Sequence, residues 1–204
     1  MPNSSMTVPS LTERQNELTR KLILDAALEA LEADPANPLT MRLVAKRAAI
    51  SERTVFRHFA TRDEFLDAVA EAFHARLELP PIPRTLEELL AYPRALYTCF
   101  EASASLNKAA LQSEFGERLR GAQGKTRWIA IRKLVDRIAP QQSERARKIA
   151  GANIRFYLAA SSWFYFRFHF GFSLEDSIAC AETSIRQSLR GLGVDLPDGD
   201  KTRG

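Results

Sequence analysis

Clustered histidines, paired cysteines and glycine-rich loops are missing from this sequence, and each absence removes a class of function. The three histidines, His58, His74 and His169, show no metal-ligand spacing such as His-Glu-x-x-His. No glycine-rich stretch is present to cradle a phosphate. The two cysteines, Cys99 and Cys180, lie far apart in apolar helical patterns with no base positioned beside either. They read as buried thiols, which suits a reducing cytoplasm. Catalysis is therefore not expected, nor is a metal or cofactor. Long apolar runs are lacking too. The most apolar region, 152–174, is interrupted by Arg155 and Arg167, so it should not span a bilayer, and residues 1–10 are too polar for a leader. No membrane association is expected. Strands are equally unrepresented: nothing shows β-branched alternation bounded by turn pairs.

What remains is a chain of 204 residues, 45% hydrophobic and 26% charged, long enough to bury a real core. Its net charge of +4 says less than its distribution. Between Thr40 and Arg62, the cations Arg42, Lys46, Arg47, Arg53, Arg57 and Arg62 face the single acid Glu52. Asp25, Glu29, Glu32 and Asp34 precede this segment, and Asp63, Glu64, Asp67 and Glu71 follow it. A basic spot in an acidic frame is the electrostatic footprint of a polyanion site. A second basic tract spans 116–155, where lysine and arginine outnumber Glu117, Asp136 and Glu144. It is ordinarily a solvated surface, but an anionic effector would fit it.

Helical periodicity accounts for the whole chain, and the expected fold class is all-α. A first helix is predicted from Leu11 to Glu32, with Leu18, Leu22, Leu28 and Leu31 as its apolar stripe. Thr40 and Ser51 are natural caps for two short helices ending near Ala48 and Phe59. Thr61 with Glu64 forms a capping box for a fourth helix reaching about Leu79. Pro80-Pro81-Ile82-Pro83 marks a boundary between domains at 11–79 and 84–193. A helix capped by Thr85 and containing Pro93 follows, with a break at Gly121 and Gly124. Helices are then expected over 125–139, 143–170 and 174–192, with Ser173 as a cap. The ends, 1–10 and 195–204, are read as disordered tails.

On two helices joined at Ala49-Ile50, residues Val44, Ala48, Ile50, Val55 and Phe59 face inward, and Ala45 is small enough for a close crossing. The remaining face of the second short helix is cationic, and its N-terminus at Ser51 offers N–H groups suited to phosphate. That is a helix-turn-helix whose second helix enters a major groove. The stretches from Thr40 to Ser51, Thr54 to Phe59 and Thr61 to Leu66 resemble the DNA-binding domain of TetR-family transcriptional regulators. The resemblance covers the first 80 residues or so; the remainder is similar only in length and helical architecture. It implies an N-terminal three-helix helix-turn-helix domain and a C-terminal helical domain for ligand binding and dimerisation. It implies a homodimer on a double-stranded DNA operator, a near-palindrome, released by a small-molecule effector. The alternative is a ligand-binding or protein-interaction module of the same fold with weakened operator binding.

Three positions depart from the family pattern: Ala49 for the usual turn glycine, Phe56 for a tyrosine, and Arg62 for a lysine. By reach, Arg53 and Arg57 are assigned to guanine edges or phosphate, and Thr54 to a thymine methyl. Thr40, His58 and Arg62 are assigned to phosphate, with Ser51 and Phe56 on the same surface. Arg42, Lys46 and Arg47 are expected in solvent.

In the C-terminal half, the run from Trp163 to Phe170 carries aromatics on every side of a helix, so it must be buried all round. This predicts a dimer interface formed by Trp163, Phe166 and Phe170 with Ile178, Ala181, Ile185 and Leu189. Candidate effector contacts are the aromatics Tyr97, Phe100, Trp128, Phe156 and Tyr157, with Asn153 and Arg155 as the polar groups.

Overall fold

The computed structural model describes residues 10–197, apart from the side chains of residues 120, 122 and 123. The expected tails at 1–9 and 198–204 lie outside the described residues. The elements are α1 (Leu11–Ala33), α2 (Met41–Arg47), α3 (Glu52–His58), α4 (Arg62–Arg76) and α5 (Leu86–Ala102). They continue as α6 (Ala104–Gln112), α7 (Gly116–Ile138), α8 (Glu144–Tyr157), α9 (Ala160–Phe164), a π-helical turn (Tyr165–His169) and α10 (Leu174–Arg190). Among the described residues there is no strand, so the fold is all-α. Among the described residues no helix is long and apolar enough to cross a membrane.

The short helices depend on capping, because neither is long enough to hold itself. Thr40 Oγ1 accepts the Leu43 N–H at 3.1 Å, and Ser51 Oγ accepts that of Thr54 at 3.2 Å. Thr61 Oγ1 accepts the Glu64 N–H, while the Glu64 carboxylate reaches back to the Ala60 N–H at 2.9 Å. Ser10, expected in a tail, instead opens α1 with a full capping box to Glu13. At the other end Leu196 packs against the core, and the Pro197 carbonyl accepts from Arg186, so order runs past the expected limit at 195.

Two hydrophobic clusters organise the packing. The first joins α1–α4 through Ile23, Ala27, Val44, Val55, Phe59, Phe65 and Val69, and draws in Leu106, Ala109, Ala110, Phe115 and Leu119 from α6 and α7. The second joins α5, α7, α8, α9 and α10 around Tyr97, Ile131, Ile154, Trp163, Ile178 and Ile185. Of the stripe expected on α1, Leu28 and Leu31 are buried but its N-terminal half is not. Leu18 and Leu22 are 69% and 47% exposed, and Ala26, Ala27 and Ala30 take the inner face, where α2, α4 and α6 approach closely.

Three helix boundaries differ from expectation. Gly121 and Gly124 lie inside α7, which is unbroken; the break comes earlier, at Ser103 and Ser113. A methyl at either glycine would meet nothing within 4 Å, so neither is required by packing. The predicted single helix 143–170 divides at Leu158-Ala159. Its last carbonyls are taken by tertiary partners: the Tyr97 hydroxyl donates to Tyr157 O at 2.8 Å, and Ser162 Oγ donates to Phe156 O. Beyond α9 the backbone widens into the π-helical turn, pinned by Glu101. That carboxylate accepts from Trp163 Nε1 at 2.9 Å and from Arg167 Nη2 at 2.6 Å.

Candidate DNA-binding surface and effector cavity

The turn between α2 and α3 decides how α3 is presented. Ala49 has φ 54°, a left-handed conformation that disfavours a Cβ. Its N–H bonds to Lys46 O at 3.3 Å, and the Ile50 N–H to Ala45 O at 3.0 Å, which together close the helix end in a Schellman motif. Val55 and Phe59 are fully buried beneath, while Ala48 and Ile50 are half-buried at the edge. With the inner face fixed in this way, Glu52, Arg53, Phe56 and Arg57 point outward and Thr54 lies at the margin.

Arg53 and Arg57 are exposed and, among the described residues, engaged by no carboxylate. The neighbouring cations are partly committed. Arg42 pairs with Glu52 at 3.6 Å and Arg47 with Glu29 at 3.4 Å, both at the surface, while Lys46 is exposed. Arg62, assigned to phosphate, meets Glu114 at 3.0 Å in an exposed pair. Thr40 and Ser51 accept helix N–H groups through their hydroxyl oxygens, and Ser51 Oγ also lies 2.9 Å from Thr54 Oγ1. Phe56 is 52% exposed on the outer face, an aromatic ring held in water.

His58, assigned to phosphate, is half-buried. Its Nε2 is buried without a partner, and burial, then the charges of Arg57 and Arg20, push its pKa below the ordinary histidine value. Arg20 stacks on Phe59 at 4.5 Å and donates to the His58 carbonyl. The lowered pKa disfavours the cationic form of this ring.

A cavity of about 170 Å³ lies where α4 meets the second cluster, walled by Phe73, Leu77, Phe100, Leu119 and Leu158 with His74, Asn107, Arg127 and Arg155 as its polar groups. Of the expected effector contacts, only Phe100 and Arg155 line it. Tyr97 is core, its hydroxyl used at the end of α8. Asn153 is exposed on the far side of α8. Trp128 and Phe156 border a shallow outer groove, and Tyr157 stacks on Phe166 with ring centroids 6.4 Å apart. Arg127 sat within the second basic tract, but His74 and Asn107 gave no sequence signal, because α4 and α6 meet at the cavity only through folding. His74 Nδ1 is buried and unpaired, and burial lowers the pKa of the ring. Among the described residues no group of three or more His, Cys, Asp or Glu is placed to hold a metal ion.

The expected dimer contacts also need correction. Trp163, Ile178, Ala181, Ile185 and Leu189 are buried to 0–1% exposure within the single chain, so they cannot meet a second copy. Phe166 is half-buried, and only Phe170, at 59%, is open. The amphipathic α10 turns its apolar side inward onto α5 and α8 instead.

These features define an all-helical protein with an N-terminal helix-turn-helix and a separate cavity. Comparison with known proteins gives the family. Residues 23–69 match the profile described as "Bacterial regulatory proteins, tetR family". The HTH-type transcriptional regulator TcmR of Streptomyces glaucescens is 35% identical over 77 residues, covering 36% of this chain and 34% of that protein. The match thus spans about a third of the relative's length. A transcriptional regulator from Rhodococcus sp. Rha1 superposes with TM-score 0.56 at 18% identity, covering 88% of this chain and 99% of that one. NalD of Pseudomonas aeruginosa, the secondary repressor of the MexAB-OprM multidrug efflux pump, does so with TM-score 0.57 at 19% identity, covering 91% and 100%. These two likenesses concern the fold. The family match is thus confined to the N-terminal segment that carries the helix-turn-helix.

Proposed function

We propose that this protein is a sequence-specific DNA-binding transcriptional regulator in the cytoplasm, a repressor whose homodimer holds a near-palindromic operator and lets go when a small molecule fills the cavity. The observation that carries the reading is the pair Arg53 and Arg57, exposed and, among the described residues, in no ion pair, on a helix whose opposite face is anchored by Val55. An arginine fork reads guanine O6 and N7 bidentately. The route from cavity to operator is short. His74, Phe73 and Leu77, at the end of α4, line the cavity, and the start of α4 is tied to α7 by Arg118 with Asp63 and Asp67. A ligand that spreads the cavity wall therefore acts on α4, whose Phe65 ring packs on Phe59 at the end of α3.

A second reading, a module of the same fold with weakened operator binding, is favoured by the strained Ala49, the hydroxyl-free Phe56 and the engagement of Arg62 by Glu114. Selection of bound fragments from genomic DNA separates the two. Regulation predicts a salt-sensitive, palindromic site, and Arg57→Ala should lose about 1–3 kcal/mol on it together with discrimination between bases. Equal losses on selected and random DNA would leave Arg57 as a phosphate contact only. Failure to enrich any sequence favours the second reading.

A further inference from the structure

We propose that the cavity takes a small amphipathic monoanion, an apolar body of about one aromatic ring bearing a single carboxylate, held between Arg127 on α7 and Arg155 on α8. This deepens the ligand-responsive reading above and rests on it. Both arginines line the cavity, and both also border a smaller void beside Tyr92, so their side chains converge on one end of the site. Neither has a carboxylate partner among the described residues, although the cations around them do: Arg118, Arg132, Arg147 and Arg167 are all ion-paired. Arg127 is held in place, since its Nη1 donates to the Tyr92 hydroxyl at 2.7 Å, which in turn donates to the Pro80 carbonyl at 3.2 Å.

Two like charges left together in a largely apolar wall are unfavourable to each other. Burial, then the charge of Arg127, lowers the pKa of Arg155. A carboxylate supplies a counter-charge in the planar geometry that a guanidinium recognises. The rest of the wall, with Phe73, Phe100, Leu119 and Leu158, favours an apolar body over a small inorganic ion. The volume suits this, because an apolar cavity of about 150 Å³ is enough to hold benzene.

Calorimetric titration of the full chain with benzoate, phenylacetate and 3-phenylpropionate, each beside its primary amide, tests the proposal. At least one acid should bind about tenfold or more tightly than its amide, the order expected of a charge-assisted contact. Arg127→Met and Arg155→Met should each abolish that preference, and Arg155→Lys, which keeps the charge, should retain most of it. Thermal melts of each variant establish that it is folded. Equal binding of acid and amide, binding by no acid, or a preference that survives both methionine substitutions overturns the proposal. The titrations use no DNA, so their failure is distinct from failure of the regulator reading. Binding by amides alone would keep an effector cavity and make its ligand neutral.

Discussion

At the scale of single residues, Ala49 carries the clearest local conflict between sequence and backbone. The turn demands a left-handed residue, and a side chain there clashes with the carbonyl that follows. Ala49→Gly should therefore stabilise the protein by about 1 kcal/mol in chemical denaturation, after allowing for the entropy that glycine adds to the unfolded chain. A destabilised glycine variant would show that the alanine methyl packs favourably against α3. Phe56 is the second such residue. Its ring occupies the outer face without a hydroxyl, so Phe56→Tyr should strengthen DNA binding by about one hydrogen bond to a charged group, read in the same operator titration. Weaker binding by a folded variant would overturn this expectation.

Among the elements, the π-helical turn is the one most dependent on a distant partner. A five-residue segment with no buried side chain of its own has little reason to persist alone. Glu101 on α5 holds it, with Arg167 as the larger cause and Trp163 as a further one keeping that carboxyl below its ordinary pKa. A carboxyl depressed in the folded state contributes stability above its unfolded pKa, and the contribution is lost as pH falls through the folded value. Glu101→Gln keeps the shape but not the charge, and should cost about 1–3 kcal/mol at neutral pH while flattening the acid limb of the stability profile. An unchanged acid limb in this variant would assign the pH dependence to other carboxylates.

For the whole molecule, the proposed homodimer needs a surface on which two copies could meet. Helix-turn-helix dimers present their recognition helices about 34–36 Å apart, one turn of DNA. A contiguous apolar surface is available for the contact: Ile149 and Phe156 on α8 are 52% and 62% exposed, and Tyr165, Phe170 and Phe172 are 53%, 59% and 37% exposed. The rings of Phe156, Tyr157, Phe166, Phe170 and Phe172 form one chain of contacts, an apolar surface of the kind that marks an interaction site. Phe156→Glu and Phe170→Asp should each give a folded monomer without specific operator binding, measured by light scattering and titration on one sample. Ile185→Glu should behave differently. Its side chain is fully buried in the subunit, so the charge should unfold the protein rather than merely separate the copies. A wild type that is monomeric at working concentration, or a monomeric variant with full operator affinity, would remove this account.

Local chemistry made most of the N-terminal half legible before any coordinates. Thr40, Ser51 and Thr61 cap by bonding the backbone three residues on, a geometry set by their own neighbours. The same holds for the cationic face of α3, because Val55 and Phe59 fix which side is inward. Properties that depend on two distant segments were beyond it. Amphipathic spacing shows that Ile178 and Ile185 lie on one face, but not whether α5 and α8 or a second chain covers that face. Nothing near Tyr157 says that Tyr97, sixty residues away, will take its carbonyl and end the helix there. The cavity is the extreme case, since His74, Arg127 and Arg155 come from three helices and share a site only after those helices pack. Periodicity and capping are written within a few residues, whereas burial belongs to whichever surfaces the completed fold brings together.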